Sequence, residues 1–254
     1  MRTLRLLIEY DGTGFLGWQK QSRGRTVQGV LEEVFRRIAG RPVHVTGASR
    51  TDSGVHATGQ VVSVPLEVRL DDATLLRALN AHLPEDVAVK AVETVPAEFN
   101  AIRDAVRKRY LYRVECGAAP SPLLARYCHH VRPPLDVAAM RAAAAYLLGT
   151  HDFTAMSGTC DAGLRDPVRT VRSIEILETV PGRVEMAVEA DGFLYHMVRF
   201  MAATLLAAGG GRMAPPRAGE ILASRDRSRA PSPAPAKGLC LVKVWYSVDN
   251  PDGM

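Results

Sequence analysis

Asp52 is the residue on which chemistry could turn. It stands in Gly47-Ala48-Ser49-Arg50-Thr51-Asp52-Ser53-Gly54-Val55-His56-Ala57, a stretch too polar for a core strand and bracketed by glycines. The flanking runs Pro42–Thr46 and Gln60–Val64 read as strands, which places Arg50, Thr51 and Asp52 on a loop at a sheet edge. Loops presented by rigid elements carry function disproportionately. In extended backbone Arg50 and Asp52 project to the same side. Taken alone, the stretch also suits a solvated turn closed by the Asp52 side chain. A second place changes that balance. Phe193–Leu206 is apolar nearly all round, the pattern of a buried helix, yet it carries Arg199, with His196 one turn back. An unpaired buried guanidinium is costly, so Arg199 either snorkels to solvent or meets an anion, and Asp52 is the candidate.

A third place points to a polyanion. Arg107, Lys108 and Arg109 run into Tyr110-Leu111-Tyr112. Cations suit phosphates and tyrosine rings suit unpaired bases, so this patch is a candidate RNA contact. Tyr110 and Tyr112 share one strand face, which equally allows both to be packed inside. By contrast, Gly12-Thr13-Gly14-Phe15-Leu16-Gly17 spells G-x-G-x-x-G after a strand, but a polar basic loop follows where a dinucleotide site needs a helix N-terminus. It reads instead as a turn, or as a backbone-exposing loop that brings Trp18 and Lys20 to a ligand.

The elements that must position these residues follow from periodicity. Thr3–Tyr10 reads as a strand. Val27, Val30, Leu31, Val34, Phe35 and Ile38 fall at helical spacing after a Thr26 cap and before a Gly40 stop. Asp71 caps a second helix, and Val87–Val95 is a strand. The order strand, helix, strand, strand, helix, strand is that of the ferredoxin-like split βαβ unit. It recurs more loosely: a strand Arg107–Cys116, a helix capped by Asp136, strands Val168–Leu177 and Val184–Ala190, helices Phe193–Ala208 and Gly219–Ala223, and a strand Leu239–Val248. The expected fold is α+β: two ferredoxin-like halves around a central cleft with a mostly antiparallel sheet, residues 1–105 carrying the aspartate loop and 106–254 the tyrosine strand and the arginine helix. The Pro-rich basic segment Arg225–Lys237 reads as an extended loop that could lie against a phosphate backbone.

With 254 residues, 47% of them hydrophobic, the chain can bury an ample core, and its net charge of +5 is compatible with a nucleic-acid partner. The N-terminus lacks the apolar region of a secretory signal. Cys116, Cys128, Cys160 and Cys240 form no Cys-x-x-Cys pair, and Cys128-His129-His130 has no complementary cluster, so no metal site is expected. Free thiols fit a cytoplasmic protein. Arg199 interrupts the apolar helix, so no membrane span is expected.

These residues resemble the TruA family of tRNA pseudouridine synthases along nearly the whole chain. The matching pieces are Tyr10–Gln19, Arg50–Ala57, Arg109–Tyr112, His151–Thr154, Phe193–Arg199 and Ala234–Leu239, in the family's order. The resemblance implies an isomerase that converts uridine to pseudouridine at positions 38 to 40 of the tRNA anticodon stem-loop, without a cofactor, as a homodimer. It implies that Asp52 is the catalytic nucleophile and that Arg199 is its partner. It further implies that Arg50 helps displace the target base and that Tyr110 contacts the uracil. Departures stand at Ser49 and Ser53, where the family has Gly and Ala, at Phe200 where it has Asn, and at Ile102-Arg103 where it has Arg-Phe. The chemistry agrees with the residue types. Moving uracil from N1 to C5 needs no redox step, only a carboxylate, a flipped base and a base to remove the C5 proton. The rival reading, a non-catalytic RNA-binding module, lacks the aromatic signature such modules stack bases on.

Overall fold

Strict alternation in β1 (Arg2–Tyr10) builds the first core. Leu4, Leu6, Ile8 and Tyr10 turn to one face and are all buried, while Arg5 and Leu7 turn to the other. The computed structural model describes residues 1–132, 134–158 and 166–247; Cys160 and the expected strand end at Val248 lie outside them. Two units can be delimited, Met1–Val106 with the described residues from Cys240 on, and Arg107–Leu239.

In the first unit α1 (Val27–Ala39) begins at Thr26, whose side chain accepts from the Gly29 N–H, and ends at Gly40 with φ 69°. β2 is short, Thr46–Gly47. The strand expected over Pro42–Thr46 is replaced by loop because Pro42 offers no N–H and α1 side chains take the backbone groups of Val45. Gln28 Nε2 donates to the Val45 carbonyl at 3.0 Å, and Glu32 accepts from its N–H. β3 (His56–Leu66), α2 (Asp72–His82, capped by Asp71) and β4 (Val87–Val95) follow. β1 pairs antiparallel with both β3 and β4, and β2 pairs antiparallel with β3. The order β4-β1-β3-β2 is that of a ferredoxin-like unit.

The second unit starts in β5 (Ala105–Cys116), which pairs in parallel with β6 (His129–Val131). α3 (Val137–Ala145) is capped by Asp136 and is followed by β7 (Gly149–Asp152), β8 (Val168–Val180) and β9 (Arg183–Ala190). β5, β9, β8 and β7 lie side by side, each neighbour antiparallel. α4 runs Met197–Gly209 and α5 Arg217–Ser224. α4 starts four residues later than the apolar run suggests, because His196 adopts the left-handed conformation at φ 62° and ends the preceding extended segment. The last strand, β10 (Leu239–Tyr246), joins β3 of the first unit in parallel, Cys240 opposite His56. The sheet is therefore mostly antiparallel, as expected. No helix of the described residues is long and apolar enough to cross a membrane.

Candidate active site

Asp52 sits half-buried between buried Thr51 and exposed Ser53, and Arg50 is exposed. Their loop, residues 48–55, is held at several points. Gln60, fully buried in β3, grips Ser49 from both sides: its Oε1 accepts from the Ser49 N–H at 3.1 Å, and its Nε2 donates to the Ser49 carbonyl at 2.6 Å. The Tyr10 hydroxyl meets the Thr51 hydroxyl at 2.7 Å. The Trp18 N–H donates to the Thr51 carbonyl at 3.0 Å, and the Asp52 carbonyl accepts from the Val55 N–H at 3.1 Å. Such buried, satisfied polar contacts fix a loop in one geometry, which is what a reacting carboxylate requires.

The glycine run proves to be the bed of this loop. A Cβ at Gly12 would overlap the Val55 carbonyl. Gly17 has φ +97°, and a Cβ there would stand 2.7 Å from the Thr51 carbonyl oxygen. Backbone therefore lies on backbone directly beneath Asp52. Trp18 is not offered to a ligand: its ring is buried against Gly47, at 2% exposure, and Lys20 is paired with Glu32 at 2.8 Å. Gly17→Ala should cost about 1–3 kcal/mol in a denaturation midpoint and lower turnover on tRNA, since both the positive φ and the contact with Thr51 are lost. Unchanged stability would show that the loop moves aside freely.

One of the departures adds a tie to the same loop: the Ser53 hydroxyl donates to the Phe15 carbonyl at 3.1 Å. At Ser49 the bonds to Gln60 come from the backbone, which glycine would supply equally. Phe200 is buried beneath the Arg227 guanidinium, 3.9 Å from its ring centroid. Ile102 is exposed, and Arg103 pairs with Asp104 at 2.8 Å.

In the second unit Arg199 lies half-buried in the first turn of α4. Its Nε donates to the Ala234 carbonyl at 2.8 Å, and its own carbonyl accepts from the Ala234 N–H at 3.0 Å. The segment after Pro233 thus orients the guanidinium. The same segment takes a hydrogen bond from Tyr112, whose hydroxyl donates to the Pro235 carbonyl at 2.9 Å. Burial pushes the Tyr112 phenol up, and nearby Arg199 only partly offsets this, so Tyr112 stays protonated. His196 does not share a helical face with Arg199: it precedes the helix, stacks on Tyr195 at 3.7 Å, and its carbonyl accepts from the Arg199 N–H.

β5 divides the basic run between its two faces. Lys108, Tyr110 and Tyr112 alternate on one face, Arg107 and Arg109 on the other. Tyr110 is buried and packs edge-on against Phe193, ring centroids 5.2 Å apart. Lys108 is half-buried, and burial, with Arg169 adding repulsion, lowers its ammonium to about 8. Arg107 and Arg109 reach Glu189 at 3.3 and 3.1 Å, and Arg109 also reaches Glu175 at 2.7 Å. Glu189 was not legible as their partner, because it lies 80 residues away on β9. Gln60 did leave a signal: a lone amide inside an apolar strand has to find partners. Among the described residues no group of His, Cys, Asp and Glu could hold a metal ion.

The family described as tRNA pseudouridine synthase matches residues 6–102 and 143–247. The chain belongs to that family of isomerases, which act on uridine in tRNA. Among curated relatives it is 41% identical over 246 residues to tRNA pseudouridine synthase A of Acetivibrio thermocellus, covering 97% of this chain and 100% of that one. It is 44% identical over 253 residues to tRNA pseudouridine synthase A of Methylobacterium sp. (strain 4-46), covering 99% and 100%. In the crystal structure of a Cbf5-Nop10-Gar1 complex, one chain aligns at a TM-score of 0.34 and 14% identity, over 80% of this chain and 45% of that chain.

Proposed function

We propose that this protein converts uridine to pseudouridine at positions 38 to 40 of the tRNA anticodon stem-loop, with Asp52 as nucleophile. The observation that carries the reading is the fixed loop beneath Asp52, where Gln60, Tyr10 and the glycine bed each constrain the carboxylate's backbone. Arg199 supplies positive charge to the Asp52 carboxylate, and Arg50, exposed beside that carboxylate, fills the stack when the target base is flipped out. Tyr110 contacts the uracil and takes the C5 proton directly or through water. In the reaction the N1–C1′ bond breaks, the uracil turns, a C5–C1′ bond forms, the C5 proton leaves and N1 takes up a proton, so that substrate and product are isomers. Attack at C1′, attack at C6 and initial proton abstraction all start from the Asp52 carboxylate. No cofactor takes part, the protein acts as a cytoplasmic homodimer, and Arg107, Lys108 and Arg109 track the RNA backbone. Mapping pseudouridine in an unmodified tRNA transcript after incubation with the protein tests this. Product confined to positions outside 38 to 40 would refute the assignment.

Lys108 gives the proposal a pH signature. A phosphate beside Lys108 raises its pKa, so its contribution to affinity is complete below about 8 and is lost as pH rises through the pKa of the complex. The dissociation constant for tRNA should therefore rise between pH 7 and pH 9, by at most about tenfold per unit for one group. Lys108→Arg, which keeps its charge, should flatten the profile. A flat profile in the wild type would remove Lys108 from the RNA contacts. Reversing the charges of Arg107, Lys108 and Arg109 together should weaken all tRNAs alike and lower the salt slope by about one per lost phosphate contact.

A further inference from the structure

Apart from Ala234, which orients Arg199, the Pro-rich segment that ends at Lys237 has no part in the reaction described above. Residues 229–235 of it line a cavity of about 560 Å³ within the second unit. The rest of the lining is of two kinds. Ala203, Leu206, Ala207 and Ile221, from α4 and α5, are apolar and buried. Arg212, Arg217 and Arg229 are cationic. Arg217 is committed to Glu220 at 2.6 Å, whereas Arg212 and Arg229 are exposed and make no ion pair among the described residues. His129 also lines the cavity, and its Nδ1 is buried with no hydrogen-bond partner among the described residues. Burial, with Lys237, His130 and Arg212 nearby, holds this imidazole below its ordinary range and so neutral at pH 7.

An apolar hollow beside two exposed guanidiniums, neither in an ion pair among the described residues though Arg229 feels the Asp226 carboxylate, fits an anion that carries a flat, weakly polar body. We infer that the cavity takes a nucleotide unit of the RNA substrate, its phosphate on Arg212 and Arg229 and its base or ribose against α4 and Pro231–Pro233. The inference rests on the tRNA-substrate reading and adds a contact distinct from Lys108 and Tyr110. Charge complementarity favours this occupant. So does continuity with the proposed site: Ala234, in the cavity wall, holds Arg199, and its neighbour Pro235 accepts from Tyr112.

The test compares Arg212→Gln/Arg229→Gln with Arg36→Gln/Arg41→Gln, which removes the same two charges from surface pairs with Glu33 and Glu67. With full-length tRNA in about 0.1 M salt, the cavity variant should raise the dissociation constant about tenfold and lower the salt slope by about one, while kcat at saturating tRNA stays within about twofold. The surface variant should change affinity less than about twofold. Photocrosslinking with 4-thiouridine-substituted tRNA should label the peptide spanning residues 229–235. Equal affinity and slope in the two variants, or displacement of no crosslink by excess unlabelled tRNA, overturns the inference. So does displacement by polyglutamate with tRNA affinity unaffected, which would mark an acidic-peptide site. Because binding and pseudouridine are read separately, a wild type that binds through the cavity but forms no pseudouridine sinks the catalytic reading and leaves the cavity standing.

Discussion

Asp52→Asn protein should fold, bind tRNA as the wild type does, and form pseudouridine at least ~10³-fold more slowly. Most of what holds the loop in shape is backbone and neighbouring side chains. Its backbone is held by Gln60 at Ser49, by Tyr10 and Trp18 at Thr51, and by the Val55 N–H on the Asp52 carbonyl, none of which the substitution touches. Asn is isosteric and closes turns as Asp does, so a structural aspartate here would tolerate it. An amide, however, is a far poorer nucleophile and brings no negative charge to a developing oxocarbenium. Pseudouridine quantified in substrate tRNA, beside a gel shift and a thermal melt of both proteins, separates the cases. A binding module forms no product even as wild type; a structural turn leaves Asp52→Asn fully active. Normal turnover by the variant would end the mechanism proposed above.

The second large effect belongs to Arg199. Methionine fits the apolar surroundings of α4, and the Ala234 N–H to Arg199 carbonyl bond is backbone, so Arg199→Met should remain folded. It loses the guanidinium and its bond to the Ala234 carbonyl, and kcat should fall about 10²-fold or more if that charge acts on Asp52. The decisive measurement is the double-mutant cycle. Groups that act as one unit are strongly non-additive, so Asp52→Asn/Arg199→Met should be scarcely worse than Asp52→Asn alone. Arg199→Lys should recover only part of the loss, because an ammonium cannot both hold Ala234 and present a planar fork. Additive losses would show that Arg199 serves the fold of α4 and the Pro-rich segment rather than the carboxylate.

What was legible in the sequence is what local physics decides. Thr26, Asp71 and Asp136 cap the helices they were expected to cap, because an N-cap needs only a side-chain oxygen and the next turn's N–H groups. β1, β4 and β5 follow from period-two alternation, and the order of elements was enough for the ferredoxin-like plan of the first unit. Arg199 could be singled out as a charge inside an apolar helix, whereas the roles proposed for Asp52 and Tyr110 rest on the resemblance to the family. Tertiary structure decided the remainder. The glycine run could not be known as the bed of the Asp52 loop until Gly12 met Val55 and Gly17 met Thr51, more than thirty residues on. The strand at Pro42 dissolved because Gln28 and Glu32, one helix earlier, take its hydrogen bonds. The basic run at residues 107–109 looked like one cationic patch, yet pleating sends Lys108 to the tyrosine face while Glu189 and Glu175 claim Arg107 and Arg109. In each case the deciding partner is remote in sequence, and a side chain's charge or a backbone's hydrogen bond has no assigned use until the fold brings that partner within about 3 Å.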